Sequence, residues 1–378
     1  MSAIRDLIAT LVAFDTTSHR SNLDCIRFIQ GVLEGHGATT RLTFDDGGGK
    51  ANIHATLGPD DRPGVLLSGH TDVVPVEGQD WTSDPFRLEE RDDRLIGRGT
   101  ADMKSFIALC LALAPEFAAR GLSVPLHFAF SYDEEIGCLG VRRLIADLAE
   151  LPVKPSLCIV GEPTGLRVVT GHKGKRSLRC HVHGREGHSA MNHRAVNAVE
   201  NAARLVAHLA DMQAGRRAGG PHDHGYDPPW STIHTGLIQG GTALNIVPRD
   251  CWFEFEFRTI PGESPDTLMD ELRAWAATAI DPAARIEWTL LDDTIGLHMD
   301  DQDEATRFVA ALAGANDTMR VSFATEAGLF REIGIPTIVC GPGSIEQAHK
   351  PDEYITLEQL AQGEAFLRRL MDRICLSG

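Results

Sequence analysis

The chain has 378 residues, 43% hydrophobic and 24% charged, which is more than a single compact core usually holds, so two domains are expected. Its net charge of −17 is spread along the chain rather than gathered in a tail. That argues against nucleic acid or an anionic membrane as the main partner and leaves room for a small cationic substrate. Eight cysteines without a CxxC pair, among them Cys158 and Cys340 within apolar runs, read as buried thiols in a reducing, cytoplasmic compartment.

In chain order, Ile4, Leu7, Ile8, Leu11 and Val12 recur at helical spacing with charges between them. They predict an amphipathic helix and not the apolar block of a signal peptide. The longest apolar run, Phe106 to Ala114, is too short to span a bilayer. GVLLSGH, a helix from about Lys104 to Ala119, PLHFAFSY and SLCIVGEP alternate as strand, helix, strand and strand. This predicts an α/β fold with a mixed, mostly parallel sheet flanked by helices. Near Lys175 the texture changes to the alternating SLRCHVHGREGHSA, followed by a helix from about Val196 to Asp211. A Gly/Pro/His-rich loop, the CWFEFEFR strand and a helix near Leu268 to Ala277 come next. These read as an α+β module inserted at 176–286 between catalytic-domain segments 1–175 and 287–378. After it, IGIPTIVCGPG predicts a strand and Leu357 begins a terminal helix.

Several of these strands run out into groups that can bind metal. GVLLSGHTD ends in His70 and Asp72, which share a strand face. An imidazole that binds metal through one nitrogen needs an acceptor for its other N–H, and Asp72 is placed to provide one. Asp102 lies in the turn before a helix, where it suits either a helix cap or a carboxylate shared by two cations. Asp133, Glu134 and Glu135 are consecutive acids whose mutual repulsion is costly unless cations neutralise it. Glu162 ends a further strand, and His349 follows a strand and a glycine-rich loop. In open α/β sheets, ligands gather at the carboxyl ends of strands. His70, Asp102, Glu135, Glu162 and His349 therefore form a mixed nitrogen and oxygen set suited to two zinc ions, with cobalt or manganese as substitutes.

GHTDVVP, GRGTADMK, DEEIG, GEPT and HKPDEY, in this order, resemble the co-catalytic zinc aminoacylases and carboxypeptidases. That family includes acetylornithine deacetylase and succinyl-diaminopimelate desuccinylase. The resemblance implies that His70 and Glu162 hold one metal, that Glu135 and His349 hold the other, and that Asp102 bridges them. Glu134 would be the general base and Asp72 the partner of His70. It also implies a cis peptide at Asp102–Met103 and a zinc-exopeptidase-like catalytic domain. The inserted module would be a ferredoxin-like lid that pairs in a homodimer. Within that lid, His188 would donate to the oxyanion across the dimer, while Asn245 and Arg258 would bind substrate. His181 and His183 could suggest a separate metal cluster, but their alternation on a strand points to solvent.

The expected reaction is hydrolysis of an N-acyl amino acid. The C-terminal stretch is most similar to acetylornithine deacetylases, and Glu326 is expected near the site, favouring a cationic side chain. The rival readings are a desuccinylase, a broader deacylase or dipeptidase, and a catalytically silent binding protein.

Overall fold

The computed structural model describes residues 2–376 and divides the chain into two compact units. The first comprises the residues up to Gly171, Met299–Met319 and those from Thr325 onward. Seven strands of its large sheet are β1 (Thr39–Phe44), β2 (Ala51–Leu57), β3 (Val65–His70), β4 (Leu126–Ser131), β5 (Leu157–Pro163), β6 (Val168–His172) and β7 (Thr337–Gly341). They lie side by side in the order β1-β2-β4-β3-β5-β7-β6. The pairs β4/β3, β3/β5 and β5/β7 are parallel, and the outer pairs are antiparallel.

Every residue of β3, β4 and β5 is buried, as expected of parallel strands covered on both faces. Helix α1 (Ser2–Ala13) buries Ile4, Ile8, Leu11 and Val12, the stripe expected from their spacing. Helix α2 (Leu23–Glu34) buries Cys25, Ile26, Ile29 and Leu33. Helix α3 (Lys104–Arg120) is buried over most of its circumference. It can approach the sheet because Gly161 has no side chain: a Cβ there would stand 2.2 Å from the Phe106 ring. The four mutually parallel strands bring their carboxyl ends to one edge. His70 ends β3, Asp133–Glu135 follow β4, Glu162 lies at the end of β5, and the loop bearing His349 follows β7.

The second unit is His172–His298 with Arg320–Ala324, wider than the expected 176–286. The reason lies in strand pairing. Arg285–Thr294 is hydrogen-bonded along Gly174–His183 and so belongs to this unit's sheet. The four antiparallel strands run in the order Thr232–Gly240, Asp250–Thr259, Gly174–His183, Arg285–Thr294. Helices Ala198–Gly219 and Pro265–Ala279 pack their apolar residues against Cys180, Val182, Phe253, Phe255 and Phe257. The chain order β-α-β-β-α-β is ferredoxin-like.

The first of these helices runs eight residues past its expected end at Asp211. Met212 is buried in the core, and Arg216 pairs with Glu263 and Glu271 at 2.6 Å each. These tertiary contacts carry the helix into a segment whose glycines suggest a loop.

Candidate active site

His70 is 1% exposed. Its Nδ1–H donates to the backbone carbonyl of Asp72 at 2.9 Å, so Nε2 faces Asp102 Oδ1 at 3.0 Å and Glu162 Oε1 at 3.8 Å. The other oxygen of Asp102, Oδ2, lies 3.3 Å from His349 Nε2, which also meets Glu135 Oε2 at 3.0 Å. One carboxylate thus faces two imidazoles, each accompanied by its own glutamate. Glu134 stands beside this array, with an oxygen within 4.8 Å of ligand atoms of His70 and Glu162. The expected ligands His70, Asp102, Glu135, Glu162 and His349 are therefore brought together with Glu134.

Local structure explains these positions. The Asp102–Met103 peptide is cis. Asp102 does not cap α3, since Met103 is the N-cap residue and no side chain bonds there. His349 has φ +60° and Asp133 φ +54°, left-handed conformations that cost side chains other than glycine on the order of 1–3 kcal/mol. Asp133 is not neutralised by the metal set. Its carboxylate accepts Lys50 Nζ at 2.6 and 2.8 Å.

Asp72 departs from its expected role. Its carboxylate stands 3.6 Å from His70 Nδ1, whereas its own backbone carbonyl takes the N–H. The carboxylate instead accepts the backbone N–H groups of Glu134 at 3.1 Å and Glu135 at 3.3 Å, and the Ser18 hydroxyl at 2.7 Å. It positions the two glutamates.

Glu326 also departs from expectation. It has no solvent exposure, and its oxygens accept the hydroxyls of Ser68 at 2.6 Å and Ser131 at 2.8 Å. These serines belong to β3 and β4, so Glu326 braces the strands beneath His70 and presents no carboxylate to a cationic substrate.

Two further supports lie inside recognised motifs but were assigned no role from sequence. Arg98 of GRGTADMK and Glu353 of HKPDEY form a pair at 2.7 Å, each 1% exposed. Glu353 Oε1 accepts the N–H groups of Ala101 at 2.9 Å and Asp102 at 3.0 Å. It thereby holds the turn that carries the shared aspartate. Acidic and basic residues within otherwise ligand-bearing motifs were the available signal.

The electrostatics test whether this set suits cations. Burial, followed by neighbouring acids, raises Glu134 and Glu162 well above the usual carboxylate range. Burial and then Asp102 raise Glu135 to about 7. His349 is raised to about 10 by hydrogen bonds with Asp102 and Glu135. In His70, burial opposes the charge, but Asp102 and Glu162 together overcome it and raise the imidazole well above its usual value. These buried acids therefore hold protons unless cations neutralise them. Ligand atoms about 2.0–2.1 Å from a tetrahedral zinc lie roughly 3.3 Å apart, and the donor separations of 3.0 to 3.8 Å bracket that value. The residues fit a two-metal centre.

In the second unit, His188 and Asn245 are neighbours on a short antiparallel ribbon: His188 pairs with Ile246, and Ser189 N–H donates to the Asn245 carbonyl at 3.1 Å. Both side chains are exposed. Arg258 lies on Asp250–Thr259, half-buried and paired with Glu256 at 3.0 Å.

A mixed sheet that brings two imidazoles and one shared carboxylate to the carboxyl edge of its parallel strands makes a candidate two-metal site, and the family match makes the chain a metal-dependent amide hydrolase. Residues 66–373 match the peptidase family M20/M25/M40, and the chain belongs to that family. It is 36% identical to the acetylornithine deacetylase of Myxococcus xanthus over 99% of this chain and 98% of that one. With the acetylornithine deacetylase of Edwardsiella ictaluri it shares 33% identity, over 98% of this chain and 96% of that one. An M20 family metallo-carboxypeptidase from Sulfolobus solfataricus shares the fold, with a TM-score of 0.78 at 16% identity, covering 98% of this chain and 99% of the other. Aminopeptidase PepT from Bacillus cereus does so with a TM-score of 0.76 at 18% identity, covering 98% of each.

Proposed function

We propose that this protein removes the acetyl group from N2-acetyl-L-ornithine, releasing ornithine and acetate, as a two-metal hydrolase. The observation that carries the two-metal reading is the placement of Asp102, whose Oδ1 and Oδ2 face His70 and His349 at 3.0 and 3.3 Å. Similarity to acetylornithine deacetylases over nearly the full chain supports the substrate. In this reading His70 and Glu162 hold one cation, Glu135 and His349 the other, and Asp102 both. Zinc suits the donor set, with cobalt or manganese as substitutes. The cations would polarise the acyl carbonyl and acidify the attacking water.

The chain's own groups supply the proton transfers. Glu134 takes the proton from the attacking water and passes it to the amide nitrogen as the C–N bond breaks, so that ornithine leaves as an amine. Burial first, and the surrounding acids next, raise its carboxyl well above the usual range. Cations held by the neighbouring acids would offset that rise and leave Glu134 ionised to accept the proton. Asp72 keeps Glu134 aimed through the backbone N–H it accepts. His188 donates to the developing oxyanion across a homodimer formed through the second unit, while Asn245 and Arg258 bind the substrate's amide and carboxylate. The exposed His188 is compatible with this role: its Nδ1 accepts the Ala190 N–H, which leaves Nε2 to donate outward.

The test is a metal-supplemented assay on a panel of N-acetyl and N-succinyl amino acids, with chelator as control. The expected result is metal-dependent turnover with the highest kcat/KM for N-acetylornithine. Preference for N-succinyl-diaminopimelate would favour a desuccinylase, and no turnover of any member would contradict the reading.

A further inference from the structure

His181 and His183 were expected to face solvent, yet both are only partly exposed and converge on one carboxylate. They alternate on Gly174–His183, on the face opposite Cys180 and Val182, which are buried in the unit's core. Asp250 lies across from His183 on one neighbouring strand, and Glu287 lies across from His181 on the other. Asp250 Oδ1 is 3.1 Å from His183 Nδ1 and 3.3 Å from His181 Nε2. Glu287 Oε2 is 3.4 Å from His183 Nε2. The two imidazoles stand 3.9 Å apart, centroid to centroid.

Two features distinguish this cluster from an ordinary surface ion pair. The Nε2 atoms of both histidines are shielded from solvent, and the partners they meet are the carboxylate oxygens of Asp250 and Glu287 at 3.3 and 3.4 Å. Arg249 Nε donates to the other oxygen of Asp250, Oδ2, at 3.0 Å, turning Oδ1 toward the histidines. One ligand atom from each of His181, His183 and Asp250 falls within a common 4.8 Å. Glu287 is an auxiliary donor, because Arg285 NH1 shares its Oε2 at 3.1 Å.

We infer that His181, His183 and Asp250 form a third metal site, carried wholly by the second unit, that takes one first-row transition-metal dication such as Zn²⁺ or Ni²⁺. Two imidazoles with a carboxylate are the donor types such ions prefer. His181 and His183 share one strand and Asp250 comes from the next, so a bound ion clamps those two strands together, and the folded unit gains stability from binding.

The experiment compares the full-length protein with its His181→Gln/His183→Gln double variant. Each is stripped with chelator, dialysed against micromolar free Zn²⁺, and assayed for metal per chain. The parent is expected to retain one equivalent more than the variant, with N-acetylornithine turnover unchanged between them. The unfolding temperatures should differ with metal and coincide without it. Because the difference in metal content is the readout, the result is independent of how the two-metal centre fills. Equal metal content in parent and variant overturns the proposal. Should the double variant not fold, His183→Gln and Asp250→Asn, at partly exposed positions, are scored in the same way.

Discussion

Glu134 and Glu135 are adjacent in sequence yet separate in task, because Asp72 accepts both of their backbone N–H groups and fixes each side chain on its own course. Glu135 reaches His349 at 3.0 Å, while Glu134 stands by His70 and Glu162, where the proposed reaction gives it the proton. Glu326 shows the reverse case, a residue near the chemistry that does structural work. Glu326→Ala removes the carboxylate that the Ser68 and Ser131 hydroxyls share in a buried layer, leaving them only the longer contacts to the Ala129 carbonyl at 3.3 Å and the Gly69 carbonyl at 3.4 Å. It is expected to cost about 1–3 kcal/mol in denaturant unfolding. The ratio of kcat/KM for N-acetylornithine to that for N-acetylmethionine should stay unchanged, since Glu326 is shielded from substrate. A selective loss of the cationic substrate would return Glu326 to a recognition role.

The elements that carry the ligands are held by contacts at long sequence separation. Glu353 joins the loop after β7 to the turn before α3, through Arg98 and the N–H groups of Ala101 and Asp102. Glu353→Ala strands the buried Arg98 charge and is expected to cost about 3–5 kcal/mol. It should also weaken metal retention, because the turn bearing Asp102 loses its anchor. Equilibrium dialysis and denaturant unfolding of the same sample separate the two effects, and unchanged metal affinity would remove Glu353 from the site's support.

The ligand-bearing strands were legible because a strand running out into His, Asp or Glu is a local pattern. Their order in the sheet and the roles of Asp72, Glu326 and Glu353 were not, since each depends on partners that only the fold brings near. The sequence placed Asp72 correctly beside His70. The backbone carbonyl of Asp72 took the bond assigned to its carboxylate, which a residue pattern cannot distinguish. The overrun of the helix Ala198–Gly219 has the same origin, as Arg216 is stabilised by Glu263 and Glu271, 47 and 55 residues further along the chain.

At the scale of the whole molecule, buried histidines make the fold acid-sensitive. Burial lowers His54, His127 and His172 from 6.5 to about 4 each. Between those values the unfolded chain binds more protons than the folded one, so stability falls as pH drops from about 6.5 to about 4 and this contribution levels off below that. Unfolding free energies across this range should show a shallower slope for His54→Gln/His127→Gln than for the parent. Equal slopes would assign the acid sensitivity to other groups.

The family makes the chain a metal-dependent amide hydrolase, and the central claim of the proposed function is that it works at a two-metal centre with Glu134 moving the proton. The most direct test measures metal content and N-acetylornithine turnover of Glu134→Ala against the parent. The account predicts that the variant keeps the parent's metal content while kcat falls by about 10²–10⁴-fold, the usual contribution of a positioned general base. Near-parental turnover with the metals in place would contradict it.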